Sequence, residues 1–423
     1  MYCAIDFGTS NSAIAVPDGA GAMRLVELEP GQSTMPTAVF CHADGHERTY
    51  GRAAVAAYVD GLDGRLMRSM KSVLGSSLLD QTTDVGGGRG VKYRDIVAGY
   101  LKHLKSCAER TVGGPIRRAV LGRPVYFVDD DPARDAQAEA ALRAAAKAVG
   151  FTQIEFQYEP VAAAFDYERG VAGEELVLVA DIGGGTSDFS LLRLGRERAQ
   201  RADRKADILA NHGVHVAGTD FDRRVELAAI LPAYGYGAFG PSNGGGPPRE
   251  VPSGAYFDLA TWHLINTVYN PARVAELRGM RGFYADLRQH ARLMAVVEQR
   301  LGHELAACAE SAKIAVADGG RVGIDLGSTE AGLAAEIDEA GAVAAIEADI
   351  ARIVDAALAT AAQAGLPAER IDALYFTGGS TGLRLLASRI AAAFPRARAV
   401  RGDRFASVAT GLGLYAQRRY GKG

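Results

Sequence analysis

Ala4-Ile5-Asp6-Phe7-Gly8-Thr9-Ser10-Asn11-Ser12 decides the fold. A short apolar run ends in an aspartate, and glycine with hydroxyl residues then makes a tight turn. The same grammar returns at Asp181-Ile182-Gly183-Gly184-Gly185-Thr186-Ser187-Asp188. A third glycine turn, Gly378-Gly379-Ser380-Thr381, follows the apolar run 371–377. Glycine lets backbone N–H groups approach an oxyanion closely, and the hydroxyls add donors. A carboxylate at the end of each strand suits a Mg²⁺ held through water, because that ion sheds its shell reluctantly. Two such turns, one from each half of the chain, can close on a nucleotide's phosphates from opposite sides.

Working outward, residues 2–16 read as a hairpin, with 25–28 and 37–41 as further strands of its sheet. Residues 52–62 and 96–109 have helical spacing, 118–127 reads as a strand, and 135–149 as an alanine-rich helix. A second cycle follows: strand 154–157, helix 160–169, strand 175–181, and 187–194 as its hairpin partner. The repetition is one of architecture, not of sequence. Helices are predicted at 221–231 and 343–364, the last ended by Gly365 and Pro367, and 284–317 reads as one long helix or two joined helices. A strand at 371–377 and helices at 383–394 and 405–419 close the chain. The glycines 86–88 form a surface turn, and the Gly/Pro-rich stretch 234–252 a surface loop. Val322-Gly323-Ile324-Asp325-Leu326-Gly327-Ser328-Thr329 imitates a phosphate turn but opens no lobe, so it is predicted to be a strand and turn of the second half. Strands alternating with helices in two halves predict an α/β fold with a cleft between lobes.

A chain of 423 residues can form roughly two to four domain-sized units. A net charge of −3 gives no electrostatic case for nucleic acid or an anionic membrane. Cys3, Cys41, Cys107 and Cys308 are far apart and read as reduced thiols. No basic segment leads into an apolar run at Met1, and no run of about 18 apolar residues occurs. A soluble, cytoplasmic protein is expected.

Together these stretches resemble the two phosphate motifs and the adenosine motif of actin-like ATPases, most closely the DnaK-type heat-shock chaperones. Met70-Lys71-Ser72-Val73-Leu74-Gly75 resembles the chaperones' lysine-containing segment, and Tyr158-Glu159-Pro160-Val161-Ala162-Ala163-Ala164 their first connecting motif. Gly218-Thr219-Asp220-Phe221-Asp222 resembles the strand-to-helix junction of the second lobe, and Glu310-Ser311-Ala312-Lys313 the adenine-side helix. The spacing, with Gln157 and the stretch 403–413, is most similar to the truncated, YegD-like members.

The resemblance implies a duplicated actin-like ATPase fold, ribonuclease-H-like, with two lobes around a nucleotide cleft. Lobe I would be 1–172, completed by a C-terminal helix at 405–423, and lobe II 173–404, with 220–342 its outer subdomain. The implied cofactors are ATP or ADP with Mg²⁺, the metal held by Asp6 and Asp181. Lys71 would position the γ-phosphate and the attacking water, with Glu159 and Asp188 around that water. Thr9, Ser10 and Thr186 would donate to phosphate oxygens. Gly8, Gly183, Gly184, Gly185, Gly218, Gly378, Gly379 and Ser380 would line the nucleotide. Glu310 and Lys313 share a helical face by their spacing, and the resemblance places them at ribose and adenine. From the residues alone, Lys71 reads as a solvated lysine and Glu310 with Lys313 as a surface pair.

The chain departs from the chaperone pattern at named positions. Ile314 and Gly382 stand where the chaperones sandwich adenine between arginines, and Ala317 where a serine helps fix the base. Weaker and less adenine-selective binding is expected. Pro124, in Gly122-Arg123-Pro124-Val125-Tyr126-Phe127, matches the chaperones' switch proline, but Gln137-Ala138-Glu139 occupies the stretch of its arginine partner. About forty residues follow Thr381, too few for a linker and peptide-binding domain, so no peptide clamp is expected. The expected function is a Mg²⁺-dependent ATP-binding protein with slow ATPase activity, signalling nucleotide state by lobe closure to a protein partner. The alternative is a non-hydrolysing nucleotide sensor or scaffold. Filament formers and small-molecule kinases share the fold, but the Lys71 and Glu159 motifs fit the chaperone branch better. Neither nucleic acid nor a membrane is an expected partner.

Overall fold

The computed structural model describes residues 1–421 except 20, 21, 46, 69, 86–88, 129, 130, 202, 242–246, 263, 318 and 403–406. The predicted turn at 86–88, the glycines 244–246 and the start of the last predicted helix lie outside the described residues.

β1 (Tyr2–Phe7) and β2 (Asn11–Pro17) pair antiparallel, with Phe7 opposite Ser12. β3 (Met23–Leu25) and β4 (Thr34–Pro36) pair with β2. The strand expected at 37–41 is real but lies in another sheet. Thr37 donates its N–H to the Ser10 carbonyl and its hydroxyl to the Gly8 carbonyl, which pins the chain at the turn. From there β5 (Ala38–His42) pairs with β6 (Arg48–Tyr50) and β7 (Gly64–Arg68), and α1 (Gly51–Val59) packs on them. β8 (Thr82–Asp84) and β9 (Gly90–Lys92) form a small hairpin before α2 (Tyr93–Val112).

β10 (Arg118–Arg123) stops short of the predicted 127, because Pro124 has no N–H for the ladder of a strand paired on both sides. α3 (Pro132–Ala148) starts at Asp131, whose carboxylate accepts the Arg134 N–H. β11 (Gln153–Tyr158) then runs into α4 (Glu159–Ala163) and α5 (Phe165–Gly170).

The second half opens with β12 (Glu175–Ile182), β13 (Ser187–Leu194) and β14 (Ile208–Val214). α6 (Gly218–Val225) continues through a π-helical turn, and a two-residue hairpin of β15 (Phe239–Gly240) and β16 (Arg249–Glu250) lies in the Gly/Pro-rich stretch. Five helices follow: α7 (Gly254–Leu259), α8 (Ile265–Val268), α9 (Pro271–Gly279), α10 (Leu287–Glu298) and α11 (Gly302–Ala315). Of the two readings of 284–317, the structure has two helices, α10 and α11, broken at Arg300, which has φ 57°. β17 (Arg321–Asp325) and β18 (Ala334–Asp338) make the imitation phosphate turn a plain hairpin. α12 (Glu339–Gln363), β19 (Ala373–Thr377), α13 (Arg384–Ala393), β20 (Arg398–Arg401) and α14 (Ser407–Tyr420) complete the chain.

The two main sheets repeat one topology. The first has the order β11-β10-β1-β2-β3 and the second β20-β19-β12-β13-β14. In each the central hairpin is antiparallel, and its first strand runs parallel to the next strand outward. Asp6 and Asp181 therefore occupy equivalent places, each one residue before the end of the first hairpin strand.

α4 and α14 lie between the sheets. Val161 and Ala162 of α4 and Leu412 and Ala416 of α14 share one core with Ala4 and Val120 of the first sheet and Val177 and Ala373 of the second. The helices touch at Gly411, where a Cβ would stand 1.8 Å from the Ala162 carbonyl oxygen. This packing holds Glu159, the first residue of α4, between the two halves. Among the described residues, no helix is long and apolar enough to cross a membrane.

Candidate functional site

The three glycine turns meet. A Cβ on Gly8 would stand 2.1 Å from the Asn11 carbonyl oxygen, so the first turn closes only on glycine. The second turn closes through the Gly183 N–H on the Thr186 carbonyl at 3.0 Å. Its carbonyls are bound from behind. Gly183 O accepts from the Ser380 hydroxyl at 2.7 Å and the Gly218 N–H at 3.3 Å. Gly184 O accepts both the N–H and the hydroxyl of Thr219 at 2.8 Å. A Cβ on Gly184 would lie 3.3 Å from the Ser10 hydroxyl oxygen, so the first two turns face each other at close range. The third lies against Asp181. Gly378 has φ +85°, and a Cβ there would stand 2.6 Å from the Asp181 carboxylate and 2.4 Å from the Ile182 carbonyl oxygen.

The charged side chains converge behind these turns. Lys71, in the 3-10 turn Met70–Val73 after β7, is 9% exposed, and its ammonium lies 2.5 Å from Glu159 Oε1. Gly122 leaves room for that carboxylate, since a Cβ there would be 3.1 Å from Oε1. Asp188 lies opposite Asp181 across the β12–β13 hairpin and accepts the Thr186 hydroxyl at 2.8 Å. Burial pushes the Asp6 carboxyl up, and the Glu159 and Asp181 charges add to the rise against the opposing pull of Lys71. Asp181 is pushed up to about 7 by burial, then by Asp188 and Glu159, again opposed by Lys71. Lys71 does not return either aspartate to the ordinary carboxylate range, so the site favours a further cation.

The donor set fits hydrated Mg²⁺. Among the described residues no three or more His, Cys, Asp or Glu side chains are grouped to chelate an ion outright. Mg²⁺ needs only one or two carboxylates when water and phosphate oxygens complete its shell. Asp6 and Asp181 supply those two.

On the base side, Lys313 does not pair with Glu310. Its ammonium lies 2.6 Å from Asp222 Oδ1, and Glu310 is exposed on the same helix. Burial pushes Asp222 up to about 6 in spite of Lys313. Ile314 is 62% exposed. Within the motifs, Asp222 partners Lys313, Thr219 braces the Gly184 carbonyl, and Gly122 makes room for Glu159, roles that no local spacing marks.

A further contact joins residues far apart in the sequence. The Arg68 guanidinium sits 4.2 Å over the ring of Trp262, the chain's only tryptophan. Tyr58 lies 5.4 Å from Trp262 and 5.1 Å from His303. No local pattern marks these residues.

The model of the family described as Hsp70 protein matches residues 2–229, more than half of the chain. The chain belongs to the Hsp70 family. This Hsp70 relative is 35% identical over 250 residues to a chaperone protein HscA homolog of Aromatoleum aromaticum, covering 54% of this chain and 38% of that one. It is 34% identical over 223 residues to the chaperone protein DnaK of Thermosipho melanesiensis, covering 52% and 34%. It is 33% identical over 223 residues to DnaK of Thermotoga maritima, with the same shares. The chain thus spans little more than a third of the length of the curated relatives it matches. Membership brings the two-lobed, actin-like α/β architecture as the family fold.

Proposed function

We propose that this Hsp70 relative is a Mg²⁺-dependent ATP-binding protein that hydrolyses its nucleotide slowly and reports nucleotide state to a protein partner through lobe closure. One observation carries the reading: the Lys71–Glu159 pair is buried beside Asp6 and Asp181, where the Gly8 and Gly183 turns face each other.

Residues 1–172, with the C-terminal helix 405–423, are assigned to lobe I and 173–404 to lobe II, with 220–342 as its outer subdomain. The packing of α14 on β1, β2, β3 and β10 supports this division. Asp6 and Asp181 are the metal-side carboxylates. A Mg²⁺ ion held there would neutralise charge on the phosphoryl group being transferred. Lys71 orients the γ-phosphate, Glu159 and Asp188 orient the attacking water, and Thr186 keeps Asp188 in place while its turn donates to phosphate. Thr9, Ser10, Gly184, Gly185 and Gly379 offer donors around the phosphates, while Gly8, Gly183, Gly218, Gly378 and Ser380 hold the turns in shape. Glu310 and Lys313 face ribose and base. The Arg68–Trp262 contact gives closure a cross-lobe seam, because it exists only when the outer ends approach.

The reading is tested by single-turnover hydrolysis of pre-bound ATP. Product that forms in wild type and not in Lys71→Ala supports it; ATP that stays intact on wild type contradicts it. One observation favours a non-hydrolysing sensor instead: exposed Ile314 offers the base no planar cation to stack on. The same experiment decides between the two.

A further inference from the structure

The end of the strand that leads into Glu159 is itself held. Arg123 is the last residue of β10, in register with Tyr158 of β11, and follows Gly122, the residue that makes room for Glu159. Its guanidinium is 13% exposed and every arm is engaged. Nη1 donates to Glu139 Oε2 at 2.5 Å, and Nη2 to Asp135 Oδ2 at 2.9 Å and to the Val125 carbonyl at 3.2 Å. Nε donates to the Pro124 carbonyl at 3.1 Å. The plane lies 5.2 Å from the Tyr158 ring and 5.5 Å from that of Phe127. Asp135 also accepts the Phe127 N–H at 2.6 Å, so the strand end, the turn after it and α3 are tied at one point.

We propose that Arg123 is a positioning residue for Glu159. Acting through Tyr158, which directly precedes Glu159, it fixes the ends of β10 and β11 against α3 and so aims the carboxylate at Lys71 and the phosphates. The group suits the task because a planar fork can serve two carboxylates and two carbonyls while stacking on a ring; an ammonium cannot. The inference rests on the proposed role of Glu159 in orienting water.

The test compares wild type, Arg123→Lys, Glu159→Gln and the double variant by single-turnover ATP hydrolysis and by calorimetric titration with Mg-ATP. Lysine keeps a positive charge beside Asp135 and Glu139, so the fold is retained while the fork is lost. Arg123→Lys is expected to slow the chemical step about 10- to 100-fold and to leave the ATP Kd within about twofold. In the Glu159→Gln background it should slow nothing further, because its effect runs through that carboxylate. An equal loss in both backgrounds, an unchanged rate, or a Kd that weakens in step with the rate would overturn the proposal. A wild type that binds ATP without turnover overturns the hydrolase reading and the proposal with it, and is recognised because all four proteins are then equally inert.

Discussion

Lys71 and Glu159 lie 88 residues apart in sequence and 2.5 Å apart in the fold. The lysine comes from a short turn after the small outer sheet, and the glutamate from a helix wedged between the two main sheets. Their meeting places a cation among carboxylates that burial has already raised.

Removing that ammonium should separate binding from chemistry. Lys71→Ala is expected to bind Mg-ATP while its single-turnover rate falls by at least about 100-fold, the scale of losing one preorganised electrostatic contact. Loss of binding in calorimetry would instead make Lys71 an affinity contact.

Two glycines should respond in opposite ways. Gly378→Ala forces a side chain into a left-handed backbone and against the Asp181 carboxylate, so urea unfolding should show a loss of about 3 kcal/mol. Gly185 is exposed and has no neighbour within 4 Å to obstruct a Cβ. Gly185→Ala should therefore stay within about 0.5 kcal/mol of wild type in stability. Its nucleotide affinity should nevertheless fall roughly tenfold, as the phosphates lose close approach to the turn.

The crossing of α4 and α14 admits no side chain at Gly411. A Cβ would meet the Ala162 carbonyl oxygen at 1.8 Å, and a backbone atom cannot rotate away. Gly411→Ala should cost about 3 kcal/mol in chemical denaturation and displace α4, which carries Glu159.

His303 should give folding a pH slope. It is 6% exposed, its Nδ1 is buried without a hydrogen-bond partner among the described residues, and burial with nearby Arg68 pushes it down to about 4. The unfolded chain takes up the proton near pH 6.5, before the folded one does. The contribution is therefore complete above pH 6.5 and is lost as pH falls towards 4. Wild type should lose about 3 kcal/mol more than His303→Gln over that interval. Unfolding curves of both proteins at matched pH check it, and parallel curves would contradict it.

What could be read from the sequence was what is local. An aspartate ending an apolar strand before a glycine turn leaves a signature within ten residues, so both hairpins and the duplicated α/β plan were visible. The sheet of β5 was not, because alternation marks a strand and not its neighbours, and Thr37 turns the chain at that point. The helices between 254 and 283 are too short to show a periodic face. Within the site, long-range partners were hidden: the Asp222 partner of Lys313, the space that Gly122 leaves, and the grip of Arg123 on α3. The arginine beside Pro124 comes from the end of β10, not from the following helix, and its Nε donates to the proline carbonyl.

The most direct test of the nucleotide clamp is calorimetric titration of Mg-ATP, Mg-ADP and Mg-GTP into wild type and Asp181→Ala. The clamp predicts saturable binding of the adenine nucleotides to wild type, weakened at least about tenfold by the loss of one metal-side carboxylate. Wild type that binds none of them at millimolar concentration, or Asp181→Ala that binds as well as wild type, would contradict it.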